Sequence, residues 1–519
     1  MRGEEVRNPV IVLSDADDVA VARVRLSPGQ VVSAGGVSVR VAADVPPGHK
    51  LAIRPVASGG PVRKYGQLIG YASREIEPGD WVHTHNLRMG APASGHEFGT
   101  DVRPVTPVPQ DEARTFQGFR RADGRAGTRN YLAIAATVNC SADVVHRLCA
   151  MLRERALPAF PNVDGIVPIT HESGCGMQID GPAYRVLQRS IWGVVDHPNV
   201  AAAMLIGLGC ETNQASALLA NAGVRLGGVG DGAPLLAAPI SIQAEGGVRK
   251  ALDRGFAEGV RLLERADACR RTTLPVSGLV VGTNCGGSDG NSGISANPAL
   301  GCAGDEMVRH GAAWLIGETT ETYGAEHLLT RRAADRAVGE KLVALMRWWE
   351  QYVAASGASI DNNPAPGNKE GGLTTILEKS LGAVSKSGST PLVAVYDYAE
   401  RIRHRGFCFM DTPGMDDVSV TGLVAGGCNL MAFTTGRGSC LGFQPTPVLK
   451  IATNTELYER MSDDMDLNAG VVLDGTPVSV VGRAIFEELL AVASGKKTKS
   501  EQQGLGDHTF APWALGPVV

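Results

Sequence analysis

At 519 residues, 44% of them apolar and 20% charged, the chain is long enough for about three domains, each burying its own core. A net charge of −5 gives no electrostatic footing for nucleic acid or a membrane surface as partner, and no apolar run is long enough to span a bilayer. Aromatics make up only 5% while glycine occurs 65 times, which favours α/β architecture with tight strand-to-helix turns over a β-sandwich. The opening MRGEEVRNPV lacks the apolar stretch of a signal peptide, so the cytoplasm is the expected compartment. Ten cysteines in that compartment are expected to be buried, metal-bound or catalytic rather than paired as disulfides.

Residues 1–92 read as a small all-β module. Its strand-like runs VIVLS, VAVARVRL, VVSAGGVSVRVAA, HKLAIRPV and WVHTHNL are punctuated by turns such as Ser27-Pro28-Gly29, Pro46-Pro47-Gly48 and Pro78-Gly79-Asp80. Residues 93–114 lack periodicity and read as a linker. From 115 the texture is α/β, with mainly parallel sheets expected. Strands are predicted over 131–138, 163–169, 203–208, 274–281 and 391–396, and helices over 142–155 and 328–356. The second helix carries Met346, Trp348 and Trp349 on a packed amphipathic face and gives them no functional role. Three regions are delimited, 115–273, 274–390 and 391–519, with DNNPAPGNK near 361–369 as a boundary or an active-site loop.

The stretch VGTNCGGSDGNSGISANPALGC, 281–302, is the most informative. It follows the apolar Leu279 and Val280, so a buried strand opens there into a long turn. Its glycines let the backbone approach a ligand closely. The turn holds Asn284, Cys285, Ser288, Asp289 and Ser292, a set with little to offer a hydrophobic core. Ser288 and Asp289 are candidate substrate-binding residues.

Several predicted strands end in a cysteine: Cys140, Cys175, Cys210 and Cys285, the first three separated by 35 residues each time. In an open parallel sheet the carboxyl ends of the strands lie along one ligand-binding edge, so these thiols are expected to converge. Converging thiolates favour a soft metal, including an iron–sulfur cluster, and three ligands leave one iron open as a Lewis acid. The bland alternative is four inert buried cysteines. In His83-Thr84-His85-Asn86, a strand would turn both imidazoles to one side, where His83 and His85 could hold Fe(II), Mn(II) or Zn(II) given a third ligand. The alternative there is a pair of surface histidines.

His49 and Lys50 follow a Pro-Pro-Gly turn and Lys64 follows another; each is a candidate anchor or general base, against the reading of solvated turn residues. His171 and Glu172 precede Cys175, and Glu211 follows Cys210. Glu318 and Glu321 lie in GETTETYG, where helix capping weighs at least as much as chemistry. Arg437, flanked by glycines in TTGRGSCLG, suits a bidentate grip on a carboxylate; Lys450 and Asn454 in KIATN are weaker claims of the same kind.

Taken together, these residues resemble the altronate dehydratase/galactarate dehydratase family of sugar-acid hydro-lyases. PPGHK, KYGQLIGYA and HTHN resemble the family's N-terminal SAF domain, of β-clip type. GFRRADGRAGTRNY, SGCG, GLGCE, CGGSDGNSGISANP, NPAPGNKEGG, TTGRG and KIATN resemble its catalytic region, so the likeness runs over nearly the whole chain. HTHN is the altronate-type pattern, and galactarate-type members tend to lack the two histidines. Where that pattern has TTGRGTPYG, this chain has Ser439, Cys440 and Leu441 after TTGRG, a departure that bears on the substrate more than on the reaction.

The resemblance implies dehydration of a 2,3-dihydroxy acid, D-altronate first, to a 2-keto-3-deoxy acid in hexuronate or aldarate catabolism. It also implies iron, with manganese as an alternative. The C2 proton is weakly acidic and the C3 hydroxyl is a poor leaving group, so the reaction needs a base, a cation for the enediolate and an acid or Lewis acid. Arg437 with Lys450 or Lys50 would hold the carboxylate. His49 or Lys64 would be the base, with His171 a further proton-transfer candidate. The metal would sit at the thiols or at His83 and His85. The expected partner is a small sugar acid, with a homo-oligomer left open. Rival readings are a galactarate or other aldarate dehydratase, a sulfolactate-type lyase of the same build, and a non-catalytic sugar-acid binding module.

Overall fold

The computed structural model describes residues 8–91, 95–223 and 235–515. The opening MRGEEVR and the start of the predicted linker therefore lie outside the described residues.

Residues 8–91 form the expected all-β module. A four-stranded antiparallel sheet (Val10–Ile11, Val19–Ala22, Lys50–Ala52, Trp81–Val82) accompanies the hairpin Val31–Ala34/Val37–Arg40 and a three-stranded sheet (Pro61–Lys64, Gln67–Ala72, Leu87–Arg88). Alternate residues of Pro61–Lys64 are buried, the period of a strand with one face on a core. Residues 95–114 carry no helix or strand.

The second region is built on parallel strands β1 (Tyr131–Ala136), β2 (Gly165–Ile169) and β3 (Val200–Gly207), in the spatial order β2-β1-β3. Short strands Leu235–Leu236 and Ile240–Ser241 lie beside β3. Helix α1 (Ala142–Arg155) covers one face through Val145, Leu148 and Leu152; α2 (Pro182–Val195) covers the other through Val186, Leu187 and Ile191.

The third region is one seven-stranded parallel sheet: β4 (Val280–Cys285), β5 (Ala313–Ile316), β6 (Leu392–Tyr396), β7 (Gly406–Met410), β8 (Leu430–Thr435), β9 (Val448–Ala452) and β10 (Leu467–Asn468), ordered β6-β7-β5-β4-β8-β9-β10. The predicted boundary at 390/391 runs through this sheet, because β7 pairs with β5 while β8 pairs with β4. Two other predicted elements are divided. The run 274–281 splits into Thr272–Pro275, an edge of a small antiparallel sheet, and β4; the helix predicted over 328–356 splits into His327–Thr330 and Arg336–Ala355, the latter capped by Asp335. Trp349 of that helix is buried and Trp348 is 40% exposed.

Helices α2 and α3 (Asp416–Ala425) pack between the second and third sheets, so closely that a Cβ on Gly193 would strike the Ala425 carbonyl. On its opposite face, the third sheet shares a continuous core with the β-module, joining Val62, Ile69 and Val82 to Leu300, Leu381 and Ile451. No helix among the described residues is long and apolar enough to cross a membrane.

Candidate active site

In the seven-stranded sheet the chain leaves β4 toward β5 on one side and returns to β8 on the other. The crevice between β4 and β8 is therefore a topological switch point, the place where ligands bind in open parallel sheets. The two loops that open there are the glycine-rich CGGSDG after β4 and TTGRG after β8. They are stitched together: the amides of Gly436 and Arg437 donate to the Gly287 carbonyl at 3.0 and 2.8 Å. Gly436 has no room for a side chain, since a Cβ there would fall 2.1 Å from the Asp289 Cγ.

The β-module closes over this edge. Gly290 lies so near Gly48 that a Cβ would sit 2.0 Å from its carbonyl oxygen, and the Gly290 amide donates to Gly371 at 2.8 Å. Three segments thus meet: the Pro46-Pro47-Gly48 turn, the loop after β4, and the NPAPGNKEGG segment. Their junction is locked by a fully buried triad. The Lys50 ammonium donates to both Glu378 oxygens at 3.0 and 2.9 Å and to the Gly372 carbonyl at 2.7 Å; Lys64 donates to Glu378 Oε1 at 3.0 Å. Both lysines and Glu378 have side chains closed to solvent. Lys50 and Lys64 act here as a latch between module and sheet, with their donors already engaged.

His49 is equally committed. Its Nε2 faces the Glu370 carbonyl at 3.0 Å and its Nδ1 accepts from the Trp81 indole at 3.2 Å, which fixes a neutral ring; burial lowers its pKa. The HTHN segment is a turn rather than a strand, with the His83 carbonyl accepting from the amides of Asn86 and Leu87 and Asn86 Oδ1 bonding back to the His83 amide. The period-2 argument that would align the two imidazoles therefore does not apply. His83 stacks on Trp81 and faces His49 at a centroid distance of 4.9 Å, its Nδ1 buried without a partner and its pKa pulled down to about 3 by burial. His85 is exposed.

Beneath the loops lies a buried network built on Cys285 and on Glu318 and Glu321, the two carboxylates for which capping weighs at least as much as chemistry. Glu318, in the left-handed region at φ 62°, closes β5, and its Oε2 accepts from the Cys285 amide at 3.1 Å and from the Lys386 ammonium at 2.6 Å. Lys386 also reaches the Cys285 sulfur at 2.9 Å. Glu321 accepts from Lys379 at 2.7 Å and from Asn363 at 2.8 Å. Asp416, in the first turn of α3, accepts from Asn284 at 2.9 Å. Burial pushes Glu318 up to about 7 against the pull of Lys386, and pushes Asp416 up to about 6 with help from Glu321. Burial likewise drives the Cys285 thiol up to about 12. Glu318 Oε1, Asn284 Oδ1 and Ser288 Oγ are buried without partners.

Lys379 lies in α4 (Ile376–Val384) and Lys386 in the 3-10 turn Ser385–Ser387 that follows it; neither belongs to a glycine-rich motif of the kind that marks the other candidates. In the structure every residue of that helix is buried.

The remaining predicted residues divide. Asp289 accepts from the Asn291 amide, Ser292, Thr453 and Asn454, and Asn454 also caps the helix Thr455–Arg460; these two hold the loops in shape. Arg437 is about half exposed (47%) and its one ion pair, to Glu370 at 3.3 Å, is with a carboxylate 71% exposed. Lys450 is fully buried and its ammonium has no hydrogen-bond partner. His171 donates or accepts only to backbone, with Nε2 at 3.1 Å from the Ala136 carbonyl and Nδ1 taking the Ser173 amide, and burial holds its pKa down at about 4; it shapes a loop of the second region.

Of the four thiols, Cys140, Cys175 and Cys210 are exposed at the ends of β1, β2 and β3, whereas Cys285 is buried in the other sheet against Lys386. Among the described residues, one group brings three donor atoms of His, Cys, Asp or Glu within 4.8 Å of one another: Cys285, Glu318 and Glu321. Its charge is already met by Lys379 and Lys386, so a divalent ion would have to displace an ammonium.

Residues 8–90 match the family described as Altronate/galactarate dehydratase SAF domain. Residues 118–267 match D-galactarate dehydratase/Altronate hydrolase, second domain, and residues 276–518 match D-galactarate/Altronate dehydratase, C-terminal. The chain is 40% identical to Galactarate dehydratase (L-threo-forming) of Escherichia coli (strain K12) over 469 residues, 89% of this chain and 88% of that one. It is 33% identical to Altronate dehydratase of Bacillus subtilis (strain 168) over 504 residues, 95% and 96% of the two chains. It is 35% identical to Altronate dehydratase of Escherichia coli (strain K12) over 491 residues, 94% and 95%.

Proposed function

The chain belongs to the D-galactarate/altronate dehydratase family, and on that premise we propose that it is a hydro-lyase that removes water from a six-carbon sugar acid to give a 2-keto-3-deoxy acid. The observation that carries the reading is the switch-point crevice, with a displaceable guanidinium at its mouth and a buried carboxyl of pKa about 7 beneath it.

Arg437 binds the substrate carboxylate, exchanging its exposed partner Glu370 for a bidentate pair. Glu318, ionised, takes the C2 proton at its unpartnered Oε1. The C3–O bond then breaks as a proton is delivered to the leaving hydroxyl, which departs as water. The enol so formed takes a proton at C3, gives up its C2 hydroxyl proton and becomes the ketone. Glu318 and Asp416, with pKa values of about 7 and 6, lie at and just below neutral pH and are matched to giving and taking that proton. The base role passes from His49 and Lys64 to Glu318 because the first two spend their nitrogens on backbone, Trp81 and Glu378.

The iron that the family resemblance implies, or manganese, would supply Lewis acidity toward hydroxyl and carboxylate oxygens when bound. His83, neutral and with a free Nδ1, is a fitting single ligand. The thiols of the second region are the fitting soft set.

D-altronate is the first substrate to assay, because the HTHN turn matches the altronate type. Galactarate is the second, because identity to the galactarate relative is the higher, 40% against 33% and 35%. Anaerobic protein with added Fe(II) should convert one of them to a keto acid detectable by semicarbazide or by mass. Binding of both acids with no keto acid from either would leave only the binding-module reading.

A further inference from the structure

We propose that Cys140, Cys175 and Cys210 ligate an iron–sulfur cluster, with Cys285 outside the ligand set. This stands on the second region alone and does not depend on the dehydratase reading. The second sheet has its own switch point: the chain passes from β1 to β2 on one side and then to β3 on the other. Each of these three strands is followed within three to six residues by one of the cysteines, at Asn139-Cys140, Gly174-Cys175 and Gly209-Cys210.

The three loops touch. The Asn139 amide donates to the Ser173 carbonyl at 2.8 Å, the Asn213 amide to the Gly174 carbonyl at 2.9 Å, and the Asn213 side chain to the Thr137 carbonyl at 2.9 Å. Gly174 has a φ of +101°, and a Cβ on it would lie 2.4 Å from the Thr137 carbonyl oxygen, so this loop is pressed directly on the one bearing Cys140. Gly176 and Gly209 also have positive φ, +66° and +128°, the backbone form that turns amides into an anion-binding concavity.

Free cysteines are ordinarily buried. Of the ten here only four are exposed, and three of those are this set; the fourth is Cys440. Among the described residues these three sulfurs do not form a group with every pair within 4.8 Å. Thiolates on one tetrahedral ion stand about 3.8 Å apart, from metal–sulfur bonds of about 2.3 Å. A single tetrahedral ion site is therefore not preformed there, and three protein ligands on a four-iron cluster leave one iron for an external oxygen. On binding, the three thiols release their protons and their sulfurs replace exogenous ligands on iron, with no redox step required.

The test is anaerobic reconstitution of the full chain with Fe(II) and sulfide. The wild type should turn brown and carry iron and acid-labile sulfide in equal amount, about four of each per chain. Cys140→Ser, Cys175→Ser and Cys210→Ser should each cut both at least tenfold, while Cys440→Ser keeps them. In the loaded wild type, all three thiols should resist alkylation as read by mass spectrometry, and should become reactive after chelation; this arm needs no variant. Iron bound without sulfide, or sulfide retained in each serine variant, or alkylation of the three thiols in the loaded protein, would overturn the assignment.

Discussion

Glu378→Gln probes the joint between the β-module and the sheet. In the wild type, one carboxylate faces two ammoniums, accepts twice from Lys50 and once from Lys64, and takes the Thr374 amide and hydroxyl at 3.0 and 2.6 Å. Burial alone would raise this carboxyl; Lys50, Lys64 and Thr374 outweigh it and hold it well below the usual range. The substitution leaves two cations in a site with no solvent. Removing one partner of a buried pair costs about 3–5 kcal/mol. A second route gives the same size. Shedding one lysine proton at pH 7 from an unfolded pKa of ~10.4 costs about 4–5 kcal/mol at 1.4 kcal/mol per unit. The wild type already bears part of that, since burial brings Lys50 down to about 8. The loss should fall on docking of residues 8–91. Because a multidomain chain need not unfold in one step, calorimetry should be paired with limited proteolysis in the exposed segment 95–114. The variant should show an early transition lowered by on the order of 10 °C and rapid release of the module. The triple replacement Lys50→Met, Lys64→Met, Glu378→Leu should recover most of the loss, as apolar replacement of buried ion groups often does. A single transition within 2 °C of wild type for Glu378→Gln, with the segment still protected, would refute the latch. The pH sign follows from the depressed carboxyl: its contribution is complete above the unfolded pKa of ~4.3 and is lost only as pH falls through the lower folded value. Docking should therefore persist through mildly acidic pH.

Other outcomes are expected from the same geometry. Glu318→Gln should reduce kcat by about 10²–10⁴, the range for loss of a general base, with little change in thermal stability; unchanged kcat would remove Glu318 from the chemistry. In the wild type, kcat should fall roughly tenfold per pH unit below about 7, because the working form of Glu318 is the ionised one, and a flat profile from pH 5 to 8 would contradict its raised pKa. Arg437→Ala should raise KM strongly with a smaller change in kcat, and an unaltered KM would take Arg437 out of the carboxylate site. Lys450→Met should stabilise the protein by about 1–3 kcal/mol, since it removes a buried ammonium without a partner, while weakening substrate binding. Destabilisation instead would mean that the ammonium is satisfied by its acidic neighbours Asp464 and Asp466.

The legible parts of the sequence were those set by local physics. The 142–155 helix has the bounds of α1 because its apolar spacing and flanking turns fix both ends. The parallel strands of the second region show as apolar runs ended by glycine and cysteine, and the loops of the switch point show as glycine clusters. What failed depended on context. HTHN reads as strand because tryptophan and valine precede it, yet Asn86 bonds back to the His83 amide and makes a turn. The four cysteines share one local pattern, but sheet membership divides them, and no local rule tells the β1–β3 sheet from the β4–β10 sheet. Glu378, Lys379 and Lys386 are charged residues whose burial no local pattern announces; it comes from the arrival of the β-module and the loops after β4 and β5.

That burial also explains why a near-neutral acid sits at the switch point. Glu318, Glu321 and Asp416 bring three carboxyls; Lys379 and Lys386 bring two ammoniums; the Cys285 thiol, raised to about 12, stays protonated. Fully ionised, the network carries one negative charge in a largely buried region, which is costly, and one bound proton cancels it. The proton settles on the carboxyls with the weakest compensation. Glu321 has both Lys379 and Asn363 on one oxygen, whereas Glu318 leaves Oε1 bare and Asp416 accepts from Asn284. Glu318 and Asp416 are accordingly the two raised carboxyls, and the charge of Asp416 is one of those that raise Glu318. Asp416→Asn removes one charge without moving the backbone. It should lower the acidic limb of the kcat profile by making Glu318 easier to ionise, and a limb that stays at about 7 would show that the Asp416 charge does not raise Glu318.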